Sequence, residues 1–385
     1  MGLNIVMCTT FLQGGAGRVI YDLSRGLSSQ GHRIVIFATK TTYPGYENYE
    51  EYLQGFQEQG IPVVLCDSTF KRDIYQNINA SVTLRQLFSD KKIDIIHAHA
   101  AVPSMVAMIA RSGLGRYIPI VQTMHGWGPN KTPEQERMDI FLLNCVDQVV
   151  AVSQGDFSLL RSFGIQPANM KVIYNGIGEC HDQSSDDPVC HELLQIRERG
   201  ARIVGCIGTI GPRKNQGLLI EAMKKISSDC GNVLAVFIGE GDGVPELRKR
   251  ANSLGVGNQV LFTGYRKDAS RLMRLMDVLV LPSVSEGLPL SLIEGMRERV
   301  LRVGSAIPGI KELITDGETG FLFSSGDADH LARLLSHVLM MDAYEKRRIT
   351  ERAYADFQAR FTVDRMVKHY LNTYVEVLQG RGLHP

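Results

Sequence analysis

The sequence predicts an α/β protein made of two facing, Rossmann-like doubly wound domains with an interdomain cleft. Three observations carry this reading. The chain has 385 residues, more than one hydrophobic core usually serves, so two domains are expected. An apolar strand, a glycine-rich loop and an amphipathic helix follow one another near the start and again from Arg202. Such strand–helix–strand units imply parallel sheets covered by helices. Finally, Pro282 to Met296 joins a strand end, a Ser/Glu/Gly loop and a helix start, with seven residues between Glu286 and Glu294.

Composition narrows the class. Hydrophobic residues make up 44% and charged residues 22%, as in soluble globular proteins, and a net charge of +1 gives no nucleic-acid footprint. Seven scattered cysteines fit reduced thiols in a cytosolic chain. No apolar run approaches the roughly 18 residues needed to span a bilayer, and Met1 to Thr10 reads as a strand, not a cleaved leader. The expected location is cytoplasmic, with peripheral contact at the inner face of a membrane left open.

The first domain is expected over 1–178. Asn4 to Thr9 is its first strand, Phe11 to Arg18 a loop, and Val19 to Ser29 a helix with Val19, Leu23 and Leu27 on one face. Arg33 to Ala38 is the next strand. The loop does not fit a dinucleotide fingerprint: the third glycine would fall at Ile20, and the second strand ends in Thr39 and Lys40 instead of an acid. Its glycines, Gly14 and Gly15, serve close approach of backbone to a phosphate or sugar, or only a tight turn. Tyr43, Tyr46, Tyr49, Tyr52 and Phe56 form an aromatic stripe, read as packing surface with an acceptor flap or membrane edge as the alternative. His97 and His99 share one strand face. No nearby acid or cysteine completes a metal site there, so local hydrogen bonding is the expectation. His125 follows the strand Pro119 to Met124, where parallel sheets bind ligands, and is the first-half residue expected to touch substrate.

A linker is expected over 179–200, where polar sequence follows Asn175-Gly176-Ile177-Gly178. Cys180-His181 and Cys190-His191 lie in it, but adjacent ligands are not zinc spacing, and no metal site is assigned. The second domain is expected over 201–356. Gly208 to Gly217 leads into a helix, and Lys214 is its cation for a diphosphate, the alternative being a solvated lysine. Val278 to Leu281 is a buried strand, after which Pro289 marks the first helical turn. The amides of that turn suit a phosphate, and Glu294, a turn further in, suits a ribose diol. Asp356 to Phe361 reads as a helix break, and residues 357–385 as a last helix crossing back to the first domain.

With these residues laid out, the chain resembles the retaining glycosyltransferases of family four, with the GT-B fold. The most specific resemblance is Glu286 to Glu294 within Pro-Ser-x-x-Glu-Gly-x-Pro. Gly14-Gly15, His125-Gly126, Val172 to Gly176, Lys214, Phe262-Thr263-Gly264 and Gly317 to Gly320 support it in order and spacing. The resemblance implies a hexosyltransferase that moves sugar from a nucleoside-diphosphate donor, a UDP-sugar being expected. The acceptor is a glycan, a lipid-linked glycan or a small molecule, as in polysaccharide and cell-envelope synthesis. It implies no cofactor and no divalent metal. Lys214 would hold the diphosphate, and the amides around Gly287, Leu288, Pro289 and Leu290 would bind phosphate or sugar hydroxyls. Glu286 would lie by the transferring sugar, Glu294 on the ribose, His125 on the donor sugar and Gly15 on the closing loop. Gly264, Tyr265 and Arg266 would line the base. His125, Glu286 and Lys214 are thus the catalytic set.

This sequence departs from the family in three places. Gly208-Thr209 stands where Gly-Arg is common, so a diphosphate cation is missing unless Arg213 replaces it. Gly178 stands where an acid is common. Arg297 to Val303 places three arginines where the family has Ala-Cys-Gly-x-Pro-Val-Val, which conflicts with local strand logic and puts the strand supporting the pocket in question. An epimerase on the same scaffold, or a non-catalytic partner of another transferase, are the competing readings.

Overall fold

In a computed structural model of the protein, all residues are described except 1, 11, 41–47, 69, 71, 129–130, 179–186, 227 and 384–385. The described chain divides into two units, one of residues up to 178 together with those from 362 onward, the other of residues between 179 and 361.

The first unit is built on seven strands: β1 Asn4–Thr9, β2 Arg33–Thr39, β3 Val63–Cys66, β4 Ile95–His99, β5 Ile120–Met124, β6 Gln148–Ala151 and β7 Met170–Val172. They form one sheet in the order β3-β2-β1-β4-β5-β6-β7, with every pairing parallel. A parallel sheet is covered on both faces, which is why its strands read as unbroken Val/Ile runs instead of alternating ones. Val6, Cys8, Val35, Phe37, Ile96 and Ala98 face one core with Leu84, Phe88 and Val106 from the helices there. The alternate residues Ile5, Met7, Ile36 and His97 are buried as well.

The opposite face holds the helices Gly14–Ser29 and Val363–Gly380. They lie so close that a Cβ on Gly26 would come within 2.5 Å of Val367. His97 joins the last helix to the sheet through hydroxyls. Its Nδ1 is 2.7 Å from Tyr374 Oη, its Nε2 2.8 Å from Thr123 Oγ1, and Thr123 Oγ1 lies 2.9 Å from Tyr370 Oη.

Two boundaries differ from the sequence reading. The stretch expected as a loop is already helix from Gly14, because Gln13 is an extended N-cap and the Gly17 amide donates back to the Gln13 carbonyl at 3.0 Å. Gly17 is a glycine for contact: a Cβ there would sit 2.7 Å from the Leu12 carbonyl carbon. The break expected over Asp356–Phe361 comes later. The helix Ala343–Arg360 is continuous, with Ala353 and Phe357 keeping the apolar spacing, and Thr362 caps the next helix by accepting from the Arg365 amide. Tyr43, Tyr46, Cys180 and His181 lie outside the described residues. Tyr49, Tyr52 and Phe56 are buried, and Tyr52 and Phe56 pack their rings against Tyr21.

The second unit has six strands: β8 Arg202–Ile207, β9 Val233–Ile238, β10 Val260–Gly264, β11 Val278–Leu281, β12 Arg302–Ser305 and β13 Phe321–Phe323. Their order is β10-β9-β8-β11-β12-β13, again wholly parallel. The strand placed in question by its arginine is present. β12 pairs in register with β11, Leu279 opposite Arg302, and with β13.

Arg302 itself is fully buried. Nη1 donates to the Leu313 carbonyl at 3.0 Å and Nη2 to the Thr319 carbonyl. Burial pushes the guanidinium down to about 9, opposed by the charge of Asp356. Its aliphatic stem runs under the helix Leu290–Arg297, where a Cβ on Gly295 would meet Arg302 Cδ at 3.1 Å. Arg299 has φ of 55°, the left-handed conformation at the position where the family has glycine. It is held by Glu351 at 3.1 Å and by stacking 3.5 Å over Tyr354. Arg297 donates to Glu298 and Ser270. The three arginines are therefore part of the architecture.

Two outcomes follow. Arg302→Ala leaves a cavity and two carbonyls without donors, so chemical denaturation should show a loss of about 2–5 kcal/mol. His97 is buried and its basicity is depressed to about 3, by burial first and by His125 second. The folded state thus favours neutral His97. Its contribution should be complete above about pH 6.5 and be lost as pH falls from there toward 3. Unfolding midpoints measured between pH 7 and 4 should drop less steeply in His97→Asn than in the parent.

Candidate active site

In an open parallel sheet, ligands bind beyond the carboxyl ends of the strands where the strand order reverses. That point lies between β1 and β4 in the first unit and between β8 and β11 in the second. The topology therefore selects the loops after these strands, and they carry most of the residues singled out from the sequence.

In the second unit, the loop after β8 contains Gly208, Thr209 and a short turn Pro212–Lys214. Gln216 braces it, accepting from the Gly211 amide at 3.3 Å and donating to the Thr209 carbonyl at 2.9 Å. Gly208 has φ of 142°, and a Cβ there would come within 3.4 Å of the Lys214 stem. The loop after β11 is tied to it by the Val284 amide, which donates to the Arg213 carbonyl at 3.0 Å.

Glu286 is the hub of the two loops. Its Oε1 lies 2.7 Å from Lys214 Nζ and accepts from Ser283 Oγ at 2.7 Å. Oε2 lies 3.4 Å from Arg213 Nη1. The Glu286 side chain is 6% exposed, that of Lys214 13% and that of Arg213 48%. Ser305 Oγ donates to the Ser283 carbonyl and fixes the strand end. Gly309 abuts the same loop so tightly that a Cβ would meet the Gly287 carbonyl oxygen at 2.2 Å.

The helix Leu290–Arg297 starts beside this cluster, with Pro289 as its N-cap and not in its first turn. No side chain caps it. Its first amides and partial positive charge suit an anion. Gly287, Leu288 and Pro289 are buried, and Leu290 and Glu294 are half-buried, Glu294 within the helix. Gly264 ends β10 with φ of 75°, and its carbonyl accepts from the Gly239 amide at 2.9 Å. Tyr265 is half-buried. Arg266 has a structural commitment: it forms a bidentate pair with Asp268 at 2.8 Å and reaches Asp187 at 2.7 Å. Asp187 in turn caps the helix Pro188–Glu198.

In the first unit, Gly14 and Gly15 begin the helix after β1, and the Gly14 amide donates to Asn48 Oδ1 at 3.1 Å. His99 is the last residue of β4, and His125 follows β5. His99 Nδ1 is 3.0 Å from His125 Nε2. Burial lowers the basicity of His125 to about 4 and that of His99 well below the ordinary value. Both rings are therefore neutral near pH 7. Trp127 beside them donates to Glu136 at 3.1 Å, with Lys131 Nζ 3.3 Å over its ring.

Sequence reasoning brought out Lys214, Arg213 and Glu286 but not Ser283, Ser305, Asn48 or the contact between His99 and His125. Ser283 was legible as the serine of Pro-Ser-x-x-Glu, since three residues let a hydroxyl turn back onto the acid. The other three depend on strand order and carry no local signal.

Comparison with known proteins identifies the family. Residues 13–178 match the family described as Glycosyltransferase Family 4, and residues 195–356 match Glycosyl transferases group 1. The N-acetyl-alpha-D-glucosaminyl L-malate synthase of Bacillus anthracis is 25% identical over 376 residues, covering 95% of either chain. The Escherichia coli UDP-Gal:alpha-D-GlcNAc-diphosphoundecaprenol alpha-1,3-galactosyltransferase is 24% identical, over 69% of this chain and 71% of that one. Among solved structures, Anabaena HepE in complex with UDP and glucose superposes with a TM-score of 0.82 at 22% identity, covering 97% of this chain and all of that one. The chain belongs to the family-four, group 1 glycosyltransferases of the GT-B fold, enzymes that act on nucleotide sugars.

Proposed function

We propose that the protein is a retaining hexosyltransferase that takes its sugar from a UDP-sugar and transfers it to a glycan, lipid-linked glycan or small-molecule acceptor. The observation that carries this is the cluster Lys214–Glu286–Arg213 at the reversal point of the second sheet, beside an uncapped helix start. Lys214, Arg213 and the backbone N–H groups of Gly287, Leu288 and Leu290, in the loop and at the helix start, hold the donor diphosphate and stabilise it as it leaves. Arg213 supplies the cation for which Thr209 substitutes no charge. Glu294 accepts from the ribose diol, and Gly264 and Tyr265 bound the base beside Arg266. His125 and the Gly14–Gly15 backbone contact the donor sugar.

In the reaction the bond from the anomeric carbon to the diphosphate oxygen breaks, and the acceptor hydroxyl forms the new bond on the same face. Its proton passes to the departing phosphate oxygen. No side chain becomes a nucleophile, and cationic groups take the place of a divalent metal. Support for UDP comes from the HepE complexes with UDP, UDP-glucose and glucose, and support for a lipid-diphosphate acceptor from the Escherichia coli relative. Among the described residues no helix is long and apolar enough to cross a membrane, and we place the enzyme in the cytoplasm, working at the inner membrane face when its acceptor is lipid-linked. The epimerase and non-catalytic readings lose ground. The named relatives are transferases and synthases, and the arginines that prompted doubt are absorbed into the fold.

Titration calorimetry with UDP tests the anion site. Lys214→Ala and Glu294→Ala should each weaken binding about 10- to 100-fold, the scale of one charged hydrogen bond, and Arg213→Ala less, since that side chain is more exposed. Glu286→Gln should bind UDP as tightly as the parent or tighter, because Glu286 competes for Lys214, while transfer collapses. Unchanged UDP affinity in both Lys214→Ala and Glu294→Ala would sink the assignment. Separately, product NMR should show the donor's anomeric configuration, and turnover should survive EDTA; an inverted product or loss of activity with chelator would overturn the mechanism.

A further inference from the structure

The contact between His99 and His125 has a direction that determines how His125 meets its ligand. At 3.0 Å between His99 Nδ1 and His125 Nε2, one of the two nitrogens carries the proton. His99 is buried, and its other nitrogen, Nε2, has no hydrogen-bond partner among the described residues. If His125 were the donor, neutral His99 would carry its own proton on Nε2, a buried N–H with no acceptor. If His99 is the donor, that nitrogen is only a bare lone pair, which costs less to bury. Protonating both nitrogens of either ring is opposed by burial, and for His99 also by the neighbouring imidazoles of His97 and His125. His97 cannot rescue Nε2, because both of its nitrogens are engaged by Tyr374 and Thr123. Its ring lies instead against that of His99, centroids 4.1 Å apart. The backbone also pins His99: Ala100, the next residue, has φ of 140°, a conformation rare outside glycine.

We propose that His99 is a positioning residue that donates from Nδ1 to His125 Nε2, so that His125 is held with its own proton on Nδ1 and presents a hydrogen-bond donor to an oxygen acceptor on the ligand. Among the described residues His125 Nδ1 has no hydrogen-bond partner, which leaves this N–H for a sugar hydroxyl or ring oxygen. The use of that donor on a sugar rests on the transferase reading above; the tautomer does not.

The test has two arms that fail separately. In the full chain labelled with 15N-histidine, long-range 1H–15N correlation at neutral pH, assigned by loss of signals in His125→Gln, should show His125 protonated at Nδ1 and bare at Nε2. Protonation at Nε2 overturns the proposal whatever the activity. In the second arm, His99→Asn places an amide N–H where Nδ1 was, and His99→Leu removes it. His99→Asn should keep kcat/KM within about threefold of the parent, while His99→Leu should lose at least about tenfold, both with parental UDP affinity. Equal losses in the two variants would reduce His99 to packing and overturn the proposal. If no donor is turned over at all, the transferase reading fails, and the NMR arm still decides the tautomer.

Discussion

The pair between Lys214 and Glu286 is the constraint around which the second unit is arranged. These residues lie on loops 72 positions apart and meet at 2.7 Å only because β8 and β11 are neighbours in the sheet. A nearly buried ion pair is a poor source of stability, since desolvating two charges offsets most of their attraction. What it provides is position. Removing either partner would strand a charge, so the two loops are held together; Ser283 donates to Glu286, Ser305 donates to the Ser283 carbonyl, and the Val284 amide donates to the Arg213 carbonyl. In the proposed reaction the carboxylate of Glu286 holds Lys214 in place until an anion of greater charge arrives. A diphosphate meets that condition, and helix amides beside it add to the exchange.

The fold was largely legible because its strands are short apolar runs bounded by glycine, with helices between them, and the parallel topology follows from that alternation. The candidate site residues of the second unit were legible because they fall next to each other in two loops. What escaped was the product of long-range contact. Nothing local indicates that Gly14 starts a helix, because its N-terminal partner, Asn48, comes from another part of the chain. The helix break belongs at Phe361 and Thr362 because Phe357 and Phe361 remain in the core and Thr362 caps the next helix. Arg266 looks like a ligand-binding cation in sequence, yet two carboxylates, one of them 79 positions away, already hold it.

Arg302 shows why a local rule failed and the strand survived. An arginine in a buried parallel strand violates propensity and pattern, but the violation concerns only its head group. The stem packs as hydrocarbon under Gly295 and beside Leu279, much as the family's valine would. The guanidinium is carried past the strand to two carbonyls near the turn before β13, at Leu313 and Thr319. These carbonyls belong to a segment without strand partners of its own there, so the arginine serves as their hydrogen-bond donor. Gly295 is the matching concession on the helix above, since any side chain at that point would strike the stem.

Both units thus carry a polar chain through an otherwise apolar interior, and the two differ in what the chain can do. Arg302 ends on backbone carbonyls, which do not titrate or change partner, and its consequence is rigidity beneath the helix that begins at Leu290. The first unit's chain runs from Tyr374 and Thr123 through His97, and His97 then meets His99 by ring contact alone. No hydrogen bond links His97 to His99, so the hydrogen-bonded chain from the buried hydroxyls ends at His97. The tyrosines fix the last helix, the histidine ring fixes its neighbour by packing, and the proton between His99 and His125 is placed by what surrounds that pair. Burial removes the charged alternatives and the unpartnered Nε2 removes one neutral alternative. A side chain with several protonation states is thereby reduced to a single donor at the end of a strand where a ligand is expected.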